Sequence, residues 1–496
     1  MTTEAPIDLD RLTIDDIRAG ALHDRPVTVL GFARSGIALA RFLVDAGARV
    51  TVYDGRSREE LDASIEGLEG RPVDLLLGPE LDPASAWAGA ALVATSPSIN
   101  PDYPTTEPRL RAALRALVAD PTGPRLVSEP DLFLRLCPSV TIGVTGTKGK
   151  TTTSSLIAAV LAADPEHRAI LGGNIGIPLV ERLPDLRPDD RVVIELSELQ
   201  LPTLSRGTHV AVYTNVTSDH LDRHGTLEAY RAVKRGLAEL VDPDGAIVLN
   251  DDDPVVAGYA AGARARVIRY RIGEPPPGGV GVVDGRIVHA GGPDVMAVDE
   301  LAIPGRHNLS NALAAAAVGL FFGLAPDAIR RAAAMFQGVE HRLEPVATID
   351  GVRFVNDSQG TQPDAVIAAL RAFDPPIVLI AGGRDKGVDL SELPPVVAER
   401  AFGAVLIGES GPDLGARFRA AGLARTEHTA TLDEAVRAAD AMARDALGPA
   451  VPAPATVLLS PAAASFDMFV DYAARGRAFK DAVAALAAER AERRDR

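Results

Sequence analysis

Residues 140–151 read Val140-Thr141-Ile142-Gly143-Val144-Thr145-Gly146-Thr147-Lys148-Gly149-Lys150-Thr151. The β-branched residues at the start predict a buried strand over 140–144. A polar, glycine-containing turn follows over 145–150. From Thr151 a helix is expected, with Leu156, Ile157, Val160 and Leu161 at helical spacing. Strand, glycine turn, lysine, hydroxyl residue and helix together make a phosphate-binding loop. The glycines let backbone N–H groups approach an anion, and the helix N-terminus adds partial positive charge. Lys150 brings a full charge to the β- and γ-phosphates of ATP, and the Thr151 hydroxyl can ligate Mg²⁺. The strict pattern wants glycine at 144; this chain has Val144, and its glycine stands at 146. An ordinary βα turn is the competing reading, and the strand–loop–helix context weighs against it.

Working outward, short apolar runs recur, each followed by a loop and then a helical pattern. They include Val27-Thr28-Val29-Leu30, Arg49-Val50-Thr51-Val52-Tyr53, Val192-Val193-Ile194 and Val210-Ala211-Val212-Tyr213. Towards the C-terminus come Ile377-Val378-Leu379-Ile380, Ala404-Val405-Leu406-Ile407 and Thr456-Val457-Leu458-Leu459. Strands alternating with helices predict an α/β fold with parallel sheets and ligand sites at the strands' C-terminal ends. At roughly 100–200 residues per domain, the 496 residues suggest about three domains. Pro121-Thr122-Gly123-Pro124 reads as a linker and Gln337-Gly338 as a second break. The boundaries expected are 1–127, 128–338 and 339–496. The most apolar long stretch, 312–325, is too short to span a bilayer and reads as a buried helix.

Composition narrows the function classes. The net charge of −16, from 67 acidic and 51 basic residues, lacks the basic footprint of a duplex nucleic-acid binder. The single cysteine, Cys137, permits no intrachain disulfide and fits a cytoplasmic location. Residues 1–24 carry scattered acids and no apolar run, so no signal peptide is expected there. No membrane partner is expected.

Other loops carry chemistry. Gly31-Phe32-Ala33-Arg34-Ser35-Gly36 resembles a dinucleotide loop but has Ala33 where the middle glycine would be. Asp54 ends the next strand, where a ribose would bind. Glu195 ends Val192-Val193-Ile194, where a carboxylate can reach a Mg²⁺ held by ATP. Asp219-His220-Leu221-Asp222-Arg223-His224 suits metal or substrate contacts but fits no zinc spacing. Lys234 shares an apolar helical stripe with Leu227, Tyr230, Leu237 and Val241. Such a lysine ordinarily snorkels its charge to water; the alternative is a buried amine that adds CO₂ and ligates metal as a carbamate. Gly305-Arg306-His307-Asn308-Leu309-Ser310-Asn311 opens a helix, and its asparagines can reach an adenine or cap the helix.

The ordered set resembles the Mur ligases of peptidoglycan synthesis over almost the whole length. It comprises the TGTKGKT loop at 145–151, Gly172-Gly173-Asn174-Ile175-Gly176, Glu195-Leu196-Ser197, Asn215-Val216-Thr217-Ser218-Asp219-His220-Leu221-Asp222, Lys234, Gly305-Arg306-His307-Asn308, His341-Arg342 and Asn356-Asp357-Ser358. The displaced glycine is that family's own form of the loop. Ser96-Pro97-Ser98-Ile99 and Leu459-Ser460-Pro461-Ala462-Ala463-Ala464-Ser465-Phe466-Asp467 narrow the resemblance to the branch that adds D-glutamate to UDP-N-acetylmuramoyl-L-alanine.

That resemblance implies a Rossmann-like N-terminal domain binding UDP, a central ATP- and Mg²⁺-binding domain, and a mobile Rossmann-like C-terminal domain. It implies ATP contacts from residues 145–151 (Thr145, Gly146, Thr147, Lys148, Gly149, Lys150 and Thr151), Thr152, Asn308, Arg342 and Asp357. Thr151 and Glu195 would serve one Mg²⁺, and His220 with a carbamylated Lys234 a second. Lys150, Glu195, His220 and Lys234 would carry the catalysis. The UDP substrate would meet Ala33, Arg34, Ser35, Asp54, Gly55 and Arg56, with Asn174 and Gln200 at its muramoyl-alanine end. Thr361, Lys386, Ser465 and Tyr472 would line the amino-acid site of a cytoplasmic monomer.

The chain departs from the family pattern in places. Ser197-Glu198-Leu199-Gln200 stands for Ser-Ser-Phe-Gln, and Asp357-Ser358-Gln359-Gly360-Thr361-Gln362 for Asp-Ser-Lys-Ala-Thr-Asn. Tyr472 replaces a phenylalanine. Gln359 removes a positive charge near the site of an anionic substrate, so L-glutamate or another amino acid is an alternative. Folylpolyglutamate synthase shares the loop but not a leading UDP-binding domain. An NAD-dependent dehydrogenase would leave the second loop and Lys234 unexplained. A non-catalytic nucleotide-binding regulator would bind ATP without releasing phosphate.

Overall fold

Strand β1 (Pro26–Leu30) buries Val27, Val29 and Leu30, and the chain leaves it through Gly31 into the helix Arg34–Asp45. That helix buries Ala38, Leu39, Phe42 and Leu43, each large apolar side chain contributing about 1.5–3 kcal/mol of transfer free energy. The same βα step repeats through β2 (Arg49–Asp54), β3 (Asp74–Leu77), β4 (Leu92–Thr95) and β5 (Arg125–Ser128). All four pairings are parallel, in the order β3-β2-β1-β4-β5. This is the Rossmann-like order, whose switch point lies between β1 and β4. Pro121-Thr122-Gly123-Pro124, expected as a linker, is instead a turn inside the last crossover of this sheet, ahead of β5.

The structure is a computed structural model that describes residues 5–175, 178–217, 224–303, 305–384, 389–447 and 454–494. The chain divides into two compact units, Met1–Phe336 and Gln337–Arg496. The first unit also holds a second sheet, nine-stranded among the described residues. Its strands are β6 (Val140–Thr145), β7 (Ala169–Gly173), β8 (Arg191–Glu195), β9 (Val210–Tyr213), β10 (Ala246–Asn250), β11 (Arg266–Tyr270), β12 (Val280–Val283), β13 (Arg286–His289) and β14 (Asp294–Ala297). Their order is β14-β13-β12-β11-β10-β9-β6-β8-β7. Pairings from β7 to β12 are parallel; β12, β13 and β14 close the edge antiparallel, which the sequence reading did not anticipate.

The phosphate-loop helix Lys150–Leu161 packs its Leu156, Ile157, Val160 and Leu161 against the helix Arg306–Phe321 in one apolar cluster. The latter helix was expected over 312–325. It starts earlier and stops at Phe321, because Gly323 turns the chain at φ +77°. The helix Leu227–Leu240 is capped by Thr226, whose Oγ1 accepts from Ala229 N at 3.1 Å.

The second unit forms a sheet of β15 (Glu344–Ile349), β16 (Val352–Asn356), β17 (Ile377–Gly382), β18 (Ala401–Ile407), β19 (Thr426–His428) and β20 (Ala455–Leu459). The order is β15-β16-β20-β17-β18-β19, parallel except for β15. Its helices include Pro363–Arg371, Leu432–Ala446 and the final Tyr472–Arg494.

Candidate active site

Strand β6, an interior strand of its sheet between β9 and β8, delivers the chain into the phosphate loop. Val144 is fully buried in the strand, so the turn begins later, and Gly146 takes φ +147°. A Cβ on Gly146 would lie 2.0 Å from Thr214 Oγ1, so only glycine lets the loop pass the end of β9. The loop is pinned to residues 214–217. Thr147 N donates to Asn215 O (2.8 Å), Lys148 N to Asn215 Oδ1 (3.0 Å), and Thr217 N to Thr147 Oγ1 (3.0 Å). Thr214 Oγ1 and Asn215 Nδ2 both donate to Lys148 O. Lys150 Nζ lies over the loop, donating to Gly146 O and Thr147 O. Thr151 and Thr152 are the next residues of the helix that Gly149, at φ +82°, introduces.

Glu195 ends β8, the strand beside β6, and is 2% exposed. Its Oε1 accepts from Asn174 Nδ2 at 2.9 Å, while the buried Oε2 has no hydrogen-bond partner. An unsatisfied buried carboxylate oxygen is costly, and a cation beside the loop would satisfy it. Glu195 Oε2 therefore suits a Mg²⁺ ligand, and Thr151 is buried in the first turn of the loop's helix. Lys234 is 0% exposed, so the snorkelling reading fails. Its Nζ donates to Thr145 Oγ1 at 3.2 Å and lies 5.6 Å from the centroid of the Tyr230 ring. His220 lies outside the described residues, as do Asp219 and Asp222 of the same run.

The first loop sits at the switch point of its sheet. Gly31 and Gly36 pass so closely that a Cβ on Gly36 would be 1.8 Å from Gly31 O. Ala33 and Arg34 are exposed at the mouth, with Ser35 half-buried, and Arg34 Nη2 donates to Gly173 O at 3.2 Å. Asp54 accepts from Phe32 N (2.8 Å), from Arg56 N (3.0 Å) and from two nitrogens of the Arg56 guanidinium. Burial alone would raise the Asp54 carboxyl, but these hydrogen bonds outweigh it and hold it below the usual range. Asp54 thus ties β2 to the Gly31 loop, with Gly55 exposed beside it. Gln200 is buried, and its Oε1 accepts from Ser197 N and Ser197 Oγ.

Asn308 belongs to the first turn of the helix Arg306–Phe321, and its Oδ1 accepts from Asn311 Nδ2 at 3.3 Å. Asn311, three residues on in the same motif, reaches the phosphate loop's helix, a contact its spacing in the sequence does not reveal. It is buried, and its Oδ1 accepts from Thr153 Oγ1 in the loop's helix.

In the second unit, Asp357 follows β16, and its Oδ2 accepts from Ser460 Oγ at 2.6 Å, just beyond β20. Burial raises its carboxyl to about 6, against the hydrogen bonds from Ser460 and Leu343 N and the charge of Arg342. Thr361 N donates to Gln359 O (2.8 Å), and the buried Gln359 Oε1 has no hydrogen-bond partner. Ser465 is buried; Tyr472 O accepts from Ser358 Oγ (2.8 Å), and the Tyr472 ring meets that of His341 edge-on. Lys386 lies outside the described residues. The residue that organises this cluster, Arg475, was not anticipated. It is 1% exposed and donates to Ser358 Oγ and Ser358 O, and to Ala463 O and Ala464 O. Burial lowers its pKa to about 10. An arginine in the first turn of an otherwise charged helix carries no sequence mark of such burial.

Family models match two stretches of the chain: the Mur ligase middle domain over residues 144–319, and the Mur ligase glutamate ligase domain over 341–462. A UDP-N-acetylmuramoylalanine–D-glutamate ligase of Symbiobacterium thermophilum is 39% identical, covering 94% of this chain and 100% of its own. The enzyme of the same name from Pelotomaculum thermopropionicum is 40% identical, covering 93% and 98%. The chain belongs to the Mur ligase family. Solved Mur ligases share its fold at low identity. UDP-N-acetylmuramate-alanine ligase MurC of Thermotoga maritima has a TM-score of 0.53 at 17% identity, covering 93% of this chain and all of its own. MurF of Acinetobacter baumannii has a TM-score of 0.54 at 16% identity, covering 97% and 100%. In this Mur ligase the phosphate loop and Glu195 end adjacent parallel strands, β6 and β8. No helix among its described residues is long and apolar enough to cross a membrane.

Proposed function

We propose that this chain is an ATP-dependent ligase that adds D-glutamate to UDP-N-acetylmuramoyl-L-alanine in peptidoglycan precursor synthesis, acting as a cytoplasmic monomer. The observation that carries the reading is the pairing of the pinned phosphate loop with the buried, unsatisfied Oε2 of Glu195 on the adjoining strand. Residues 1–127 are assigned to the UDP-linked substrate, 128–338 to ATP and 339–496 to the amino acid.

The chemistry joins two anions, a substrate carboxylate and the γ-phosphate. Lys150 offsets part of their repulsion from within the loop. Two Mg²⁺ ions, one on Thr151 and Glu195 and one on His220 and carbamylated Lys234, would neutralise charge on the transferring phosphoryl group. A carbamate on Lys234 requires the neutral amine to add CO₂ with loss of a proton, and the amine is fully buried against Thr145 at the entry to the phosphate loop. The carboxylate takes the γ-phosphoryl group to give an acyl phosphate and ADP. The amine of the incoming amino acid attacks the acyl carbon, and phosphate leaves. Arg34, Asp54, Arg56, Asn174 and Gln200 orient the UDP-linked substrate; Thr361, Lys386, Ser465 and Tyr472 hold the amino acid; Asn308, Arg342 and Asp357 contact ATP.

The test is phosphate release with UDP-N-acetylmuramoyl-L-alanine and D-glutamate, L-glutamate or other amino acids in parallel. Release with D-glutamate alone is expected, and Lys150→Ala should abolish it. Release with none of the amino acids would remove the assignment. A second reading, a ligase for L-glutamate or another amino acid, is favoured by one observation: Gln359, with its unsatisfied Oε1, stands where the family pattern has a lysine. Release with L-glutamate in preference to D-glutamate would select it.

A further inference from the structure

The loop that follows β4 touches both ligand regions of the first unit. At one end, Ile99 lies against the Gly31 loop, so that a Cβ on Gly31 would fall 2.6 Å from Ile99 Cδ1. At the other end, Tyr103 is buried, and its OH donates to Glu198 O (3.2 Å) and Leu199 O (3.3 Å), directly before Gln200. From Tyr103 a column of rings leads to the phosphate loop. The Tyr103 and His224 rings meet edge-on at 6.4 Å, and the His224 and Tyr230 rings at 5.5 Å. Tyr230 OH shares a 2.9 Å hydrogen bond with Thr147 Oγ1, inside the loop itself. Each step is a direct contact, and edge-to-face rings have a preferred geometry that resists independent movement.

We propose that Tyr103 is a positioning residue which, through His224 and Tyr230, couples the loop beside Gly31 to the phosphate loop, so that a ligand bound at one site changes affinity at the other. This rests on the functional reading above. The column gives the coupling a physical carrier: a shift of residues 96–103 on binding the UDP-linked substrate moves the Tyr103 ring, and Thr147 lies three contacts beyond it. Linkage requires the effect to be reciprocal.

The experiment uses the full chain and a non-hydrolysable ATP analogue with Mg²⁺. Calorimetry measures its affinity with and without saturating UDP-N-acetylmuramoyl-L-alanine, and then the reverse titration. In the unaltered protein each ligand should change the other's affinity by the same factor, about fivefold or more. Tyr103→Leu, which removes the ring, and Tyr230→Phe, which removes the hydroxyl that reaches Thr147, should each bring that factor towards one, and the double variant should lower it no further than the singles. A merely structural role would instead lower the thermal midpoint and both affinities together while leaving the factor intact, and that result overturns the proposal. A factor of one in the unaltered protein overturns it too. Failure of that protein to bind either ligand overturns the functional reading and the coupling with it, whereas binding of both without coupling removes the coupling alone.

Discussion

Lys234 Nζ donates to Thr145 Oγ1 at 3.2 Å, so the amine of a lysine on an apolar helical stripe ends on the last residue of the strand entering the phosphate loop. The helix Leu227–Leu240 turns the lysine inward beside Tyr230 and Leu237, and none of it reaches solvent.

A carbamate at that position makes a specific prediction. Lys234→Ala should lower phosphate release by about 100-fold or more, in line with the loss of a group that supports a metal. Short-chain carboxylic acids added to the assay should restore part of it by replacing the missing anion. Turnover at the unaltered rate in Lys234→Ala would remove the role of the lysine.

Glu195 accepts from Asn174 through Oε1, and its buried Oε2, without a hydrogen-bond partner, is the oxygen proposed for Mg²⁺. Glu195→Gln should raise the Mg²⁺ concentration needed for half-maximal phosphate release by about 10–100-fold. Asn174→Ala should produce a smaller shift in the same direction, since it frees the carboxylate to rotate. A Mg²⁺ titration of both variants against the parent reads this.

Gly146→Ala places a Cβ 2.0 Å from Thr214 Oγ1 at φ +147°. A backbone held in that region costs about 1–3 kcal/mol for a residue with a side chain. The variant should melt at a lower temperature and bind ATP more weakly. Adding Thr214→Ala removes the contact with Thr214 Oγ1 but leaves Asn215 O 2.9 Å from the new Cβ, leaves the strain and removes the bond to Lys148 O, so the double variant should not recover the parent's melting temperature.

Glu129 gives a pH dependence. Its side chain is 4% exposed at the start of the helix Glu129–Leu136, and burial raises its carboxyl to about 7 from an ordinary 4.5. The hydrogen bond from Val180 N and the charge of Arg34 oppose that rise, while Glu181 adds to it. The folded state therefore binds the proton more tightly than the unfolded chain. This contribution to stability is fully present below pH 4.5 and is lost as pH rises through about 7, on the order of 3 kcal/mol in all. Denaturant unfolding at pH 5 and pH 8 should show the loss in the parent, and Glu129→Gln should lack it.

Much of the site was legible because its chemistry is local in sequence. The loop at 145–151, Glu195 at a strand's end and Asp54 at another follow from strand–turn–helix patterning, which requires only neighbours along the chain. Asn311 and Arg475 escaped for the opposite reason. Asn311 matters because the helix Arg306–Phe321 packs on the loop's helix, and Arg475 because residues 358, 463 and 464 converge on it. The edge strands β12 to β14 escaped too, as short antiparallel pairs with little periodicity of their own.

By itself, then, the sequence determined the α/β class, the repeated βα steps, the phosphate loop with its displaced glycine, and membership of the carboxylates and Lys234 in one motif set. Those are properties of spacing, composition and resemblance. Only the tertiary structure decided that Lys234 is buried against Thr145, that Gly146 is demanded by Thr214, that Glu195 keeps one oxygen unsatisfied, and that Tyr103 connects to Thr147 through two other rings. Each of these depends on which distant segments meet, and burial and close approach exist only once the strands have taken their order in the sheet.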